Sequence, residues 1–474
     1  MLPAEHIQSH WHVRLHNRLI GWCEQASQLL NQLSWGQWLL LVFGSALVLQ
    51  LPLVFNPGYF SHDELQWAAR ANVATVAELP WLGWFDLDAY QYRPLTFNIW
   101  LWVSYHGFAH PWLFHALLVV WGSINTVLLV LIARRLGLSA AASWILAVLF
   151  VTSPYAMYVH GWVATMADLL VMSALLLLIL AIVSGARVWL VLVMSMILTA
   201  AALMSKESAL AIPALLGVVW LFNGFRKKWL LACLASGLVA VVYLYLRLPV
   251  LMQQPEGTHY SLGFWHAPWR WLEYQLYWVT PIEVEPHTTT SKGWRVPPVL
   301  AALLVMGFWL VMWHSSKKAM LALLAGGVAL LLPVLPIAAS AAQYGYLFAA
   351  WCLLVVVMTW PQVNLWGRYY LVLLGGLSAI HGLVIMLVMI YTGMVQSVYS
   401  PALAQRVSQH TGDEPLRLQL TPGTRVWIFY RLTHQIHSYK GVEIAHRARI
   451  VEAGEPADYY IQPDGRITVE PSAD

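Results

Sequence analysis

Charge is what this chain has least of. Asp, Glu, Lys and Arg make up 10% of its 474 residues, whereas a soluble domain carries about 25%. Too few charged groups remain to coat a water-facing globule, so the 59% hydrophobic content has to be hidden in a bilayer. Three cysteines, Cys23, Cys233 and Cys352, are too scattered for a disulfide framework. The net charge of +4 is small and says little about partners, and no nucleic-acid partner is expected. A phosphate-binding glycine loop, a dinucleotide fingerprint, a nucleophile-elbow serine and the His/Cys spacing of a zinc site are missing as well. The first 35 residues lack the apolar core and cleavage site of a signal peptide. They read as a helix on the membrane surface, with Trp11, Leu15 and Leu19 on its apolar side.

Aromatic residues are abundant instead: 27 Trp and 21 Tyr, types that gather at membrane–water boundaries. A membrane-crossing helix needs about 20 apolar residues. Eleven stretches approach that length, near 36–55, 111–133, 139–154, 168–185, 188–205, 209–224, 229–246, 297–314, 319–339, 343–361 and 369–393. Alternate short loops hold Arg134, Arg135, Arg187, Arg226, Lys227, Lys228, Lys317, Lys318 and Arg368, and Arg14 and Arg18 precede the first span. The positive-inside rule therefore predicts a cytoplasmic N-terminus, and an odd number of spans puts the C-terminus outside. Of the thirteen carboxylates before residue 395, only Glu5 and Glu24 fall on the cytoplasmic side. Acid–base chemistry belongs on the outer face.

The expected fold class is an all-α polytopic membrane protein with a small α+β domain at its end. A cytoplasmic interfacial segment covers 1–35, a transmembrane catalytic domain 36–394, and an extracytoplasmic domain 395–474. Within the first outer loop, the apolar stretch after Pro94 predicts an interfacial helix, as FWHAPWRWLEYQLYW does in the second. In the tail, TRVWIFYRL, ADYYIQ and RITVE read as strands, with Asp464-Gly465 as a hairpin turn. The tail has no acid–base motif, and acceptor docking or partner contact is its expected role.

The candidate chemistry lies at the outer ends of the spans. Asp63 and Glu64 follow the first span, and neighbouring helical residues point about 100° apart. One can face a substrate while the other supports the local fold, beside a helix start capped by Ser61. Asp168 opens the fourth span. Lys206 and Glu207 stand in SKESALAIP at membrane depth, where an ionisable residue is a functional candidate, or else the two form a local bridge. Arg93 and Arg247 are further cations at that boundary, and with Lys206 they suit a phosphate or pyrophosphate. The outer histidines His62, His106, His110, His160, His259, His266 and His287 match no zinc spacing. A divalent cation held by His62, Asp63 and Asp168 stays open.

An acidic pair in the first outer loop, then YRPL, SPY…ADLL, SKESALAIP, YLYLR and AAQYGYLF follow one another in that order. Over residues 36–393 this resembles the polytopic GT-C glycosyltransferases, in particular the protein O-mannosyltransferase-like branch. The aminoarabinose transferases of lipid A share the broader scheme. The resemblance implies a sugar donor on a polyprenyl phosphate and an inverting transfer to an acceptor hydroxyl outside the cytoplasm. The implied acceptor is a glycan, a lipid or a protein. By position it implies Asp63 as the base, with Glu64 completing the pair and Asp168 as a second acid. Arg93, Lys206 and Arg247 fall near the donor phosphate. His62, Tyr92, His160, Glu207, Tyr344 and Tyr346 fall on the cavity. Gln343 stands where related sequences often carry Arg. The competing readings are an oligosaccharide ligase using a lipid pyrophosphate donor, and a non-catalytic lipid-carrier transporter or scaffold. A bacterial inner membrane, with the site facing the periplasm, is the expected location.

Overall fold

A computed structural model describes residues 28–73, 81–253, 261–291, 293 and 295–470. Most of the expected N-terminal surface helix, Cys23 and His259 lie outside the described residues. All eleven apolar stretches are helical, but they differ in length. Among the described residues, six helices are long and apolar enough to cross a membrane: Pro111–Arg135, Val163–Val183, Lys227–Leu251, Val296–Ser315, Ala342–Gln362 and Leu365–Gln409. A seventh crossing arises if Ala140–Val151 and Pro154–Gly161 count as one span. The chain is an integral membrane protein. Trp35–Leu49, Val188–Leu203, Glu207–Phe222 and Lys317–Leu331 are shorter than the 20 residues a full crossing requires.

Helix boundaries follow local chemistry. Ser34 with Gln37 forms a capping box, and Ser139, Ser153, Ser316 and Asn364 each accept a backbone N–H in the first turn of their helix. The expected span 139–154 is bent by 61°. Ser153 caps a new helix there, and Pro154 contributes no N–H to continue the old one. Gly382 of the last helix crosses at this break. A Cβ on it would lie 1.9 Å from the Thr152 carbonyl oxygen.

The last helix changes the expected domain boundary at 395. Leu365–Gln409 is continuous over 45 residues, roughly 67 Å at 1.5 Å per residue, against an apolar core of about 30 Å. PALAQRVSQH is therefore the end of this helix. The rod carries the expected α+β unit. Its strands are β1 (Leu416–Leu420), β2 (Ser438–Tyr439), β3 (Val442–Glu443), β4 (Ala448–Val451), β5 (Tyr459–Ile461) and β6 (Ile467–Thr468). The main sheet runs β4-β1-β5-β6, with β1 parallel to β4 and β5 and with β6 antiparallel to β5. β5 and β6 form the expected hairpin around Asp464-Gly465. Gly465 has φ +91°, and a Cβ would lie 2.7 Å from the Val395 carbonyl oxygen, so the turn rests on the rod.

TRVWIFYRL is a helix, Val426–His434, and not the expected strand. Its β-branched and aromatic residues favour a strand intrinsically. Burial of Ile428, Phe429, Leu432 and Thr433 follows the helical period, and packing on the sheet overrides the propensity.

Candidate functional site

The segment 56–59 is clamped before it reaches the acidic pair. Asn56 donates to the Met389 carbonyl at 3.1 Å, and the Tyr59 N–H donates to Gln396 Oε1 at 2.9 Å. The Gly58 carbonyl lies 2.9 Å from His115 Nε2, and Tyr59 OH donates to the Phe108 carbonyl at 2.7 Å. Asn56, Tyr59, His115 and Gln396 are all buried. Buried polar groups of this kind hold position because each needs its partner. The last helix and Pro111–Arg135 thereby fix where the helix His62–Val73 begins.

That helix start sorts the two acids. Glu64, in its third position, accepts the Ser61 N–H at 3.1 Å, which is half of a capping box. Its side chain is buried, with the residue 2% exposed. Asp63 keeps 30% of its side chain exposed, accepts from Ser61 Oγ at 3.2 Å, and lies 3.5 Å from His62 Nε2. Burial lowers the His62 pKa, with Arg431 adding to the effect and Asp63 opposing it.

Burial and then the Asp63 charge push the Glu64 carboxyl up to about 8, against the N–H groups of Glu64, Ser61 and Val163. The folded chain therefore holds a proton on Glu64 that the unfolded chain releases near 4.5. Between those values the native state binds more protons, so stability falls as pH rises. Thermal unfolding across that window should show the decline, and Glu64→Gln should remove it. An unchanged slope in the variant would reassign the effect.

The second cluster joins two sequence motifs. Leu95 N–H donates to the Met204 carbonyl at 3.2 Å and Thr96 Oγ1 to the Ser205 carbonyl at 3.1 Å, so YRPL lies against SKES. The alternative of a local Lys206–Glu207 bridge is not what forms. Lys206 Nζ donates to Asp168 Oδ2 at 2.6 Å, and both residues are buried. Arg93 takes Glu207 instead, with its terminal nitrogen at 2.7 Å and Nε at 3.1 Å from Oε2. The reason is local. Lys206 has φ −165° and ψ 144°, and in extended backbone consecutive side chains point to opposite faces. Lys206 Nζ also lies 4.6 Å from the Tyr344 ring centroid.

Arg247 corrects another expectation. It is 0% exposed, and its guanidinium donates to the carbonyls of Leu87, Ala89 (2.6 Å) and Tyr90 (3.0 Å). It anchors the first outer loop rather than facing a phosphate. Tyr92 belongs to the same anchor: it is buried, donates to the Trp84 carbonyl at 2.8 Å, and has Arg247 over its ring. His160 and Tyr346 do not line an opening either. His160 bridges Gln50 Oε1 at 2.7 Å and Tyr346 OH at 2.8 Å inside the helix bundle. The cation set His62, Asp63 and Asp168 does not converge. Among the described residues no three His, Cys, Asp or Glu side chains form a metal-binding group, and Asp168 is engaged by Lys206.

Two links connect the acid pair to the cation cluster. Val163, whose N–H faces Glu64, begins the span that carries Asp168. Glu285 accepts the hydroxyl of Tyr158, whose ring packs on Phe60 with centroids 5.9 Å apart, and, at 2.8 Å, the N–H of Ala342, two residues before Tyr344. Sequence reasoning missed Glu285 in this role, and no local pattern marks it. Three residues beyond Tyr344, Leu347 lines an apolar cavity of about 370 Å³ with Met172, Leu175, Leu215 and Trp351, which has Lys318 at its edge.

The tail lies against the segment that carries the acid pair. Trp427 packs on Phe60 with centroids 6.0 Å apart, Gln66 donates to the Gln435 carbonyl, and Tyr399 OH lies 2.7 Å from Thr433 Oγ1. The tail, expected to dock an acceptor or a partner, also packs on the residues that flank Asp63.

No protein-family model matches the chain, and no curated protein matches it. Among solved structures it is similar to the single-particle cryo-EM structure of the arabinofuranosyltransferase AftD from Mycobacteria, at TM-score 0.46 and 13% identity. The match covers 92% of this chain and 32% of that one, so the chain spans about a third of the length of its structural neighbour. A likeness of that extent leaves the assignment of function to the residues of this chain.

Proposed function

We propose that the protein is a membrane glycosyltransferase of the GT-C kind, moving a sugar from a polyprenyl phosphate to an acceptor hydroxyl with inversion. The observation that carries this reading is the sorting of the acid pair: Asp63 is presented at the surface while Glu64 is buried beneath it. In the reaction the acceptor oxygen attacks the anomeric carbon and its proton passes to Asp63. The bond from that carbon to the phosphate oxygen breaks, and its electron pair leaves on the phosphate. Cations near the departing phosphate stabilise that charge, and we assign that part to Lys206 and Arg93. The apolar cavity below Tyr344 suits a prenyl chain.

The test is chemical. A strain lacking the protein should accumulate a polyprenyl monophosphate sugar, identified by mass spectrometry of its lipids. Accumulation of a pyrophosphate-linked oligosaccharide would replace the donor by that of a ligase, and no accumulated lipid-linked sugar would overturn the reading.

The same proposal sets the topology: cytoplasmic N-terminus, eleven spans, four of them short helices completed by their flanking turns, and site and tail outside in a bacterial inner membrane. It rests on the short basic loops, of which Arg226–Lys228 and Lys317–Lys318 are the densest. A reporter fused after residue 474 should be active only in its extracytoplasmic form. Activity confined to the cytoplasm would invert the arrangement.

A further inference from the structure

The three cations expected at the donor phosphate all have protein acceptors: Lys206 binds Asp168, Arg93 binds Glu207, and Arg247 binds backbone carbonyls. Arg431, on the tail helix Val426–His434, differs from them. It is half-buried, and none of the ion pairs among the described residues includes it. Its guanidinium carbon lies 5.7 Å from the Trp427 ring centroid. Trp427 in turn rests on Phe60, three residues before Asp63. On the opposite side of the contact, Gln66 lies one turn beyond Asp63 and donates to the carbonyl of Gln435, one turn beyond Arg431. These two contacts, one on each side of Asp63 in the chain, tether its helix to the segment that carries Arg431. The charge of Arg431 accordingly bears on both His62 and Glu285. Neither nearby acid takes the guanidinium as an ion-pair partner. Asp63 is engaged by Ser61 and His62, and Glu285 by Tyr158 and Ala342.

We propose that Arg431 binds the phosphate of the lipid-linked donor beside Asp63, so that the C-terminal unit supplies a substrate-binding residue to a site otherwise built by the membrane domain. A guanidinium resting on an aromatic ring still has its planar fork of N–H donors, and that fork matches a phosphate. As the bond from the anomeric carbon to the phosphate breaks, negative charge grows on the phosphate oxygen, and a cation at that point stabilises it. The inference rests on the transfer reaction proposed above.

The test uses the purified full-length chain in lipid nanodiscs and two probes: a polyprenyl phosphate and the uncharged polyprenol of equal length. The unmodified chain should bind the phosphate more tightly than the alcohol. Arg431→Gln should weaken the phosphate by about 10- to 100-fold, the loss of a charge-assisted hydrogen-bond donor, and leave the alcohol unchanged. Arg431→Lys retains charge without the fork and should fall between. Arg425→Gln, which alters a cation stacked on Tyr391 at the start of the same helix, should bind as the unmodified chain does. Equal weakening of both lipids by Arg431→Gln would make the role one of packing and overturn the proposal. Full retention of the phosphate preference would overturn it too, leaving the transfer reaction intact. Should Arg431→Gln fail to fold, Arg431→Lys decides, because undiminished phosphate binding there removes the need for the fork. If the unmodified chain shows no preference for the phosphate, the transfer reading falls and this inference with it.

Discussion

Asp63→Asn should lower sugar transfer by about 10²–10⁴-fold, the usual contribution of a positioned general base, while the chain still folds and inserts. The amide has nearly the same shape and can still accept from Ser61 Oγ, which lies 3.2 Å away in the native site, so the helix start should survive. What is lost is the group that takes the acceptor proton. The fall should appear in turnover by the purified variant, with polyprenyl phosphate binding nearly unchanged. Glu64→Gln provides the contrast: its carboxyl faces the Ser61 N–H and not the opening, so its larger effect should be on the pH dependence of stability. Near-normal turnover by Asp63→Asn would remove Asp63 from the reaction.

Lys206→Ala should destabilise the fold by about 3–5 kcal/mol, because it leaves the buried carboxylate of Asp168 without its partner. Replacing both charges removes that penalty. Lys206→Met with Asp168→Leu should recover most of the stability, since apolar residues of similar volume often equal a buried ion pair. Unfolding free energies of the single and double variants measure this directly. Transfer by the double variant separates two roles for Lys206. If stability returns and transfer does not, the ammonium acts on the substrate as well as on Asp168. If both return, the pair is structural and the cations at the phosphate lie elsewhere. A stable Lys206→Ala variant would show that Asp168 is solvated without Lys206. The informative partner for the double replacement is Asp168, 38 residues away, rather than the adjacent Glu207.

Several features were legible without coordinates because they are local. Composition alone requires the bilayer, and each apolar stretch forms a helix because its own backbone groups must be satisfied within it. The 100° step between neighbours on a helix already implies that Asp63 and Glu64 cannot be equivalent. The Asp464-Gly465 turn follows from the one residue that accepts its positive φ. The run TRVWIFYRL misleads for the opposite reason: its propensity is for a strand, and only its docking on the sheet makes it a helix.

Membrane character, the positions of the helices and the basic loops were therefore settled by the sequence itself, since each depends on residues within one turn or one span. Which acid holds which cation was decided by the tertiary structure. Arg93 reaches Glu207 across 114 residues, and Tyr59 reaches Gln396 across 337. Such pairings depend on where packed helices bring their ends together, and a buried charge takes the partner that packing offers. The approach of the Arg431 segment to the residues flanking Asp63 belongs to the same class. It exists only because a 45-residue helix carries the tail out of the bundle and a folded unit returns it to the first outer loop.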